Sequence, residues 1–121
     1  MILVDTPVWV DHLRSGDNDL VTLLNTSQVL IHPFVLGELA CGNLQNRSEV
    51  PALLQDLPRI SVASDDEVLF FIERHALMGK GIGYVDAHLL ASVTLDGSVR
   101  LWTGDRRLHG LAESLRLAYI R

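Results

Sequence analysis

Residues 1–10 read MILVDTPVWV, an apolar run that ends abruptly on a carboxylate. The run over 2–4 is short and rich in branched side chains, which is typical of a buried strand. Asp5 follows it directly. Thr6 and Pro7 then indicate a helix start, with Thr6 as the N-cap and Pro7 at the first helical position. This stretch therefore predicts a strand that leads straight into a helix, with a carboxylate at the junction.

Similar short apolar segments recur along the chain, and helical segments lie between them. They predict further strands over 28–31, 59–62, 99–102 and 117–120. The expected helices cover about 6–13, 19–25, 33–41, 48–56, 64–78, 84–95 and 105–115. Strands with continuous apolar cores are typical of a parallel sheet that is buried on both faces. The alternation predicts a three-layer α/β/α sandwich with a central, mainly parallel sheet, in a single domain over 1–121.

Composition narrows the class of protein. The chain has 121 residues, of which 48% are hydrophobic, so we expect one domain with a real core. No apolar run approaches the roughly 20 residues that span a bilayer, and Asp5 interrupts the first run, so we expect neither a membrane segment nor a signal peptide. Cys41 is the single cysteine. It excludes an internal disulfide and a cysteine-rich zinc site, and it fits a reduced cytoplasm.

The formal charge of −5, from 15 acids and 10 bases, argues weakly against a nucleic-acid binder that relies on a basic surface. If four of the acids held a metal ion, the balance would be near neutral. Global charge therefore decides little about RNA or DNA as a partner.

Two acids follow predicted strands, and both are candidates for a site. Asp5 comes after the first strand, and Asp105 comes after the strand over 99–102 in RLWTGDRRL. In an open parallel sheet, ligands bind beyond the carboxyl ends of the strands, near the point where strand order reverses. Asp5 and Asp105 are therefore expected at one edge, where they can meet across a crevice.

Two further acids lie on helices, on faces that the helical period assigns to apolar residues. Glu38 shares its face with Phe34, Val35 and Cys41. Asp86 shares its face with Leu89, Leu90 and Val93. Asp86 also lies in a first helical turn, where the helix dipole favours an anion, so a purely structural role stays open for it. An unpaired buried carboxylate is costly. Four such acids favour a hard divalent cation, since oxygen ligands suit Mg²⁺ or Mn²⁺.

At this point the sequence resembles the PIN-domain family, and most of all its VapC-type toxins of bacterial toxin–antitoxin pairs. The resemblance covers essentially the whole chain. The resemblance rests on four segments, which occur along the chain in the order ILVDTPVWVDHL, PFVLGELACG, GYVDAHLLAS and LWTGDRRL. It implies a parallel sheet flanked by helices, an endoribonuclease that depends on Mg²⁺ or Mn²⁺, an RNA substrate, a cognate VapB-type antitoxin and a homodimer.

The resemblance also implies roles for individual residues. The family pattern places its acids and accompanying hydroxyls on six positions of this chain: Asp5, Glu38, Asp86, Asp105, Thr6 and Thr103. The four acids would be catalytic. Asp5, Asp86 and Asp105 would hold the metal, Asp105 directly or through water, and Glu38 would ligate it or orient water. Thr103 and Thr6 would hydrogen-bond the carboxylates, with an N-cap as the alternative role for Thr6.

Other residues carry weaker expectations. Lys80 precedes Asp86, and Arg106 and Arg107 follow Asp105, so these three could contact RNA phosphates, with plain solvent exposure as the alternative. None of the five histidines shows metal-binding spacing, and none is assigned to catalysis. The two tryptophans are interpreted as packing residues.

Two competing functions stay open on the sequence. A phosphoryl-transfer protein with a strand-end aspartate would have a second acid two residues after Asp5, where Pro7 stands. A non-catalytic RNA- or protein-binding domain of the same fold is the other alternative, although the complete set of acids argues against it.

Overall fold

The computed structural model describes residues 1–44 and 50–121. The elements in chain order are β1 (Ile2–Val4), α1 (Thr6–Ser15), α2 (Asn18–Asn25), β2 (Val29–Leu30), α3 (Pro33–Cys41), α4 (Val50–Gln55), α5 (Asp65–Arg74), α6 (Tyr84–Asp96), β3 (Arg100–Trp102) and α7 (Arg106–Ser114). The start of the helix expected over 48–56 falls partly outside the described residues. In the described ranges, no helix combines the length and the apolar character that a membrane crossing requires.

The three strands form a parallel sheet in the order β2-β1-β3. Leu3 at the centre of β1 lies opposite Leu30 on one side and Leu101 on the other. All three residues of β1 are buried, as its uninterrupted apolar run predicts. The predicted central strands are therefore confirmed.

The two outer predicted strands are much shorter than expected. The segments over 59–62 and 117–120 each make one parallel bridge, Ile31 with Arg59 and Leu101 with Ala118. Each outer segment has a sheet neighbour on one side only, and much of 59–62 is exposed. Single bridges replace the predicted strands because little apolar surface holds these edges in register.

The order of these segments creates a switch point between β1 and β3. From β1 the chain moves outward through β2 to the bridge at Arg59, and it then returns to β3 on the other side. Right-handed crossovers place the helices of the two excursions on opposite faces of the sheet. The result is the predicted α/β arrangement of three layers, with a crevice where β1 and β3 end.

Most helix ends lie within two residues of the prediction, and two differences at helix ends have a clear physical reason. The N-cap of α1 is Asp5, whose side chain accepts a hydrogen bond from the Thr6 amide, so the expectation of Thr6 as N-cap is wrong. Helix α5 was expected to reach residue 78 but ends at Arg74. Ala76 adopts a left-handed φ of 50°, and the Leu77 N–H then donates to the Ile72 carbonyl. This closing turn normally carries glycine, so an alanine there gives no stop signal.

Candidate active site

Asp5 lies at the centre of the crevice, and both of its carboxylate oxygens are held. The Thr6 N–H donates to Oδ1 at 2.7 Å, and the Thr103 hydroxyl donates to Oδ2 at 2.8 Å. The side chain is buried, with 4% of the residue exposed. Burial raises the pKa of Asp5 from 3.8 to about 6; the two hydrogen bonds oppose this, and the charges of Asp86 and Glu38 add to it.

Thr103 joins the ends of β1 and β3. Its hydroxyl donates to Asp5 and accepts from the Asp105 N–H at 3.0 Å. Asp105 itself caps α7, because its Oδ1 accepts from the backbone N–H groups of Arg107 and Leu108 at 2.9 and 3.0 Å. One buried hydroxyl therefore fixes the spacing between the two strand-end carboxylates.

Glu38 reaches the same crevice from α3. Its Oε1 accepts a hydrogen bond from the Thr6 hydroxyl at 2.7 Å. Of the stripe expected to be buried around Glu38, only Val35 is buried, together with Leu39. Phe34, Glu38 and Cys41 are exposed, so the prediction that Glu38 lies on a buried face is wrong. Glu38 is thus an exposed acid at the rim of the crevice.

Thr6 therefore contacts two acids. Its backbone N–H donates to Asp5 and its hydroxyl donates to Glu38. As the first residue of α1, it holds these two acids relative to each other.

Asp86 lies in the first turn of α6 and faces the other acids. Its Oδ2 accepts from the Gly83 N–H at 3.2 Å, which supports the helix start. Burial raises the pKa of the Asp86 carboxyl, and the charges of Asp105 and Glu38 raise it further. The helix-start role and the site role, which the sequence left as alternatives, are thus both compatible with its position.

The four acids form one electrostatic cluster, in which no charged partner is found among the described residues. Within residues 1–44 and 50–121, none of these carboxylates takes part in an ion pair, and the ion pairs present there involve other acids. In the same ranges, no group of three or more His, Cys, Asp or Glu side chains is arranged so that it could hold a metal ion. Carboxylate oxygens are the kind of ligand that a hard cation such as Mg²⁺ prefers, and such a cation keeps part of its water shell.

The three basic residues predicted to contact RNA are exposed around this crevice. The side chain of Arg107 crosses Gly81, where a Cβ would come within 2.7 Å of the Arg107 Cδ and Nη1 atoms. Gly81 also has a φ of 82°, so both the space and the backbone favour glycine. Arg107 consequently lies against the loop that leads to Asp86, with Lys80 in the same loop, while Arg106 lies beside Asp105.

The tryptophans are packing residues, as the sequence interpretation had them, and one histidine makes a contact that the sequence did not indicate. Trp9 and Trp102 are buried. His88 is also buried, and its Nε2 lies 3.1 Å from Asp65 Oδ1, which in turn accepts a hydrogen bond from the Tyr84 hydroxyl. Sequence reasoning treated Asp65 only as part of a helix start and missed this link between α5 and α6.

Comparison with known proteins agrees with this geometry. The PIN domain family matches residues 2–114. Ribonuclease VapC32 of Mycobacterium tuberculosis, from strain H37Rv and from strain CDC 1551, is 50% identical to this chain over 108 residues. The alignment covers 89% of this chain and 87% of the relative. The chain belongs to the PIN-domain family, within its VapC-type group.

Proposed function

We propose that this protein is an endoribonuclease and the toxin of a type II toxin–antitoxin pair. The observation that carries the proposal is the cluster of Asp5, Glu38, Asp86 and Asp105 at the switch point, without a cationic partner among the described residues. Relatives at 50% identity that carry the name ribonuclease support the same activity.

We further propose that Asp5, Asp86 and Asp105 hold Mg²⁺ or Mn²⁺. When bound, such a cation neutralises charge on the scissile phosphate and lowers the pKa of water. Asp5 is oriented by its two hydrogen bonds, so little side-chain freedom is lost on binding. Because its pKa is raised to about 6, cation binding near that pH releases a proton from Asp5.

Glu38 has the geometry to handle the attacking water. Its Oε1 accepts a hydrogen bond from the Thr6 hydroxyl, which leaves Oε2 free to accept one from the attacking water. In this proposal the water attacks phosphorus in line and the bond between phosphorus and the 3′-oxygen breaks. The products carry a 5′-phosphate and a 3′-hydroxyl. Lys80 lies in the loop around Gly81, and Arg107 lies against that loop. In this proposal both side chains neutralise phosphates of the bound RNA.

Two partners belong to the proposal. A cognate VapB-type antitoxin would cover the crevice and present a basic side chain, because a cavity of net negative charge attracts cations. A second copy of the chain would pack on α5, where Leu69 and Phe70 are 55% and 67% exposed. Helix α5 carries acids in its first turn and Arg74 in its last, so antiparallel pairing about a two-fold axis brings opposite charges together.

The proposal places the protein in the cytoplasm, where RNA and a reduced Cys41 are both expected, and treats residues 1–121 as one domain.

RNA hydrolysis tests the proposal directly. Wild type, Asp86→Asn and the control Asp96→Asn, which changes an acid at the opposite end of α6, are assayed on total bacterial RNA with Mn²⁺ and with EDTA. With Mn²⁺ we expect wild type and the control to cleave RNA and Asp86→Asn to cleave it at a rate roughly 100-fold or more lower. In EDTA we expect no protein to cleave RNA. Expressed without antitoxin, wild type should arrest bacterial growth and Asp86→Asn should not. Asp86→Asn activity above about a tenth of wild type at saturating metal would contradict the assignment.

A further inference from the structure

A cavity opens beside Asp105, between α7 and the segment over 119–121. Its volume is about 440 Å³. Its wall includes Thr103 and Asp105, which also belong to the acidic cluster. An RNA chain with one phosphate at the acids would therefore have a neighbouring nucleotide at the mouth of this cavity.

The floor of the cavity consists of flat side chains held in place. The rings of Trp102 and Tyr119 lie 5.2 Å apart, and the Arg121 guanidinium carbon lies 4.8 Å from the Trp102 ring centre. Asp17 and Asp19 fix that guanidinium through contacts of 3.0 and 2.8 Å. Trp102 is buried beneath these two side chains, so the surfaces open to the cavity are the Tyr119 ring and the Arg121 guanidinium plane, which are kinds of surface on which unpaired RNA bases stack.

The α7 wall presents one face of the helix to the cavity. Arg106, His109, Gly110 and Glu113 repeat at intervals of one turn and line it. A Cβ on Gly110 would meet nothing within 4 Å, so the missing side chain leaves open volume. Arg106 forms no ion pair with any residue in the described ranges, which leaves its charge available to an anion.

We infer that this cavity binds the nucleobase of a nucleotide adjoining the scissile phosphate, an inference that rests on the proposed ribonuclease function. Arg106 contacts the phosphate of that nucleotide, and Gly110 provides the space for its base. The volume falls within the roughly 300–1,000 Å³ of small-ligand sites. RNA is favoured over an antitoxin peptide because the cavity shares Thr103 and Asp105 with the acidic cluster and carries an unpaired cation.

Filling the cavity provides the kinetic test. Gly110→Gln puts a side chain into it, and Gly37→Gln makes the same change at an exposed helical glycine of α3, where a Cβ also meets nothing within 4 Å. On a short single-stranded RNA, we expect Gly110→Gln to raise KM roughly tenfold or more with kcat within about threefold of wild type, and Gly37→Gln to match wild type. Arg106→Ala should raise KM and reduce its dependence on salt.

Crosslinking provides a readout that needs no hydrolysis. Asp86→Asn protein in EDTA is irradiated with a short RNA that contains thiouridine. We expect crosslinks at Tyr119 or His109, which line the cavity and are accessible, and their loss when Gly110→Gln is added. Crosslinks confined to other segments, or equal kinetics for the two glutamine variants, would overturn the inference. So would a Gly110→Gln protein that handles RNA normally but loses inhibition by antitoxin, since the cavity would then serve a protein partner.

The outcomes separate the two proposals. A wild type that crosslinks in the cavity but hydrolyses no RNA contradicts the ribonuclease proposal and leaves the cavity as an RNA site. A wild type that hydrolyses RNA with no role for the cavity contradicts only this inference.

Discussion

Asp5→Asn should stabilise the metal-free protein, and the gain should grow with pH. The pKa of Asp5 is about 6 in the folded protein against 3.8 ordinarily, so the folded state binds more protons between these values. At about 1.36 kcal/mol for each pH unit, keeping this carboxylate ionised costs the folded state about 3 kcal/mol above pH 7. The stability of wild type therefore falls as pH rises from about 4 through 6.

The assay is urea unfolding in EDTA at pH 4.5, 6.0 and 7.5. Asparagine at position 5 alters the bond with Thr103 by an amount that does not depend on pH, so the informative quantity is the change with pH. The free energy of unfolding of Asp5→Asn minus that of wild type should increase by about 2 kcal/mol from pH 4.5 to pH 7.5. Asp11→Asn removes the same charge from an exposed position of α1 and should show a flat difference.

A difference for Asp5→Asn that stays flat, or that falls as pH rises, would refute the reasoning. It would mean that the carboxylate is as well stabilised in the fold as in water.

Three further outcomes are expected. Thr103→Val leaves a buried Asp5 oxygen and the Asp105 N–H unpaired. The free energy of unfolding measured in urea should therefore fall by about 1–3 kcal/mol. Gly110→Ala and Gly37→Ala should each raise the free energy of unfolding by about 0.5–1 kcal/mol, because alanine favours a helix. A lower free energy of unfolding for Gly110→Ala would mean that a methyl group does not fit beside residue 110. Mg²⁺ at about ten times its Kd should stabilise wild type by roughly 1.4 kcal/mol and Asp105→Asn by much less in thermal melts, whereas equal stabilisation would exclude Asp105 from the metal site.

The strand-end acids were predictable from local pattern alone. The run at 2–4 is wholly apolar and the run at 99–102 is interrupted only by the exposed Arg100, which indicates central parallel strands. Parallel strands end at the same edge of a sheet. The helix around Glu38 was also predictable, but its orientation was not. Helix α3 is apolar on nearly every side, so the helical period has little contrast with which to choose a buried face.

Other features depend on contacts between distant parts of the chain. The outer segments make single bridges because each has a sheet neighbour on one side only and little buried apolar surface, and neither property can be read from a short apolar run. The cavity beside Asp105 exists only where the segment at Tyr119 lies against α7. A glycine within a helical pattern, at Gly110, was the one sequence signal for it, and such a signal does not say what the open space faces.

The bond from Thr103 to Asp5 joins residues 98 positions apart. A contact of such separation requires a long loop to close before it can form. During synthesis the amino-terminal half, with Asp5 and Glu38 already made, holds a lone carboxylate pair with nothing to set its distance from Asp105. The order of translation thus delays assembly of the cluster until β3 has entered the sheet beside β1. An enzyme directed against RNA gains a safeguard from this topology, because the partly made chain, still attached to the ribosome and its message, lacks the site.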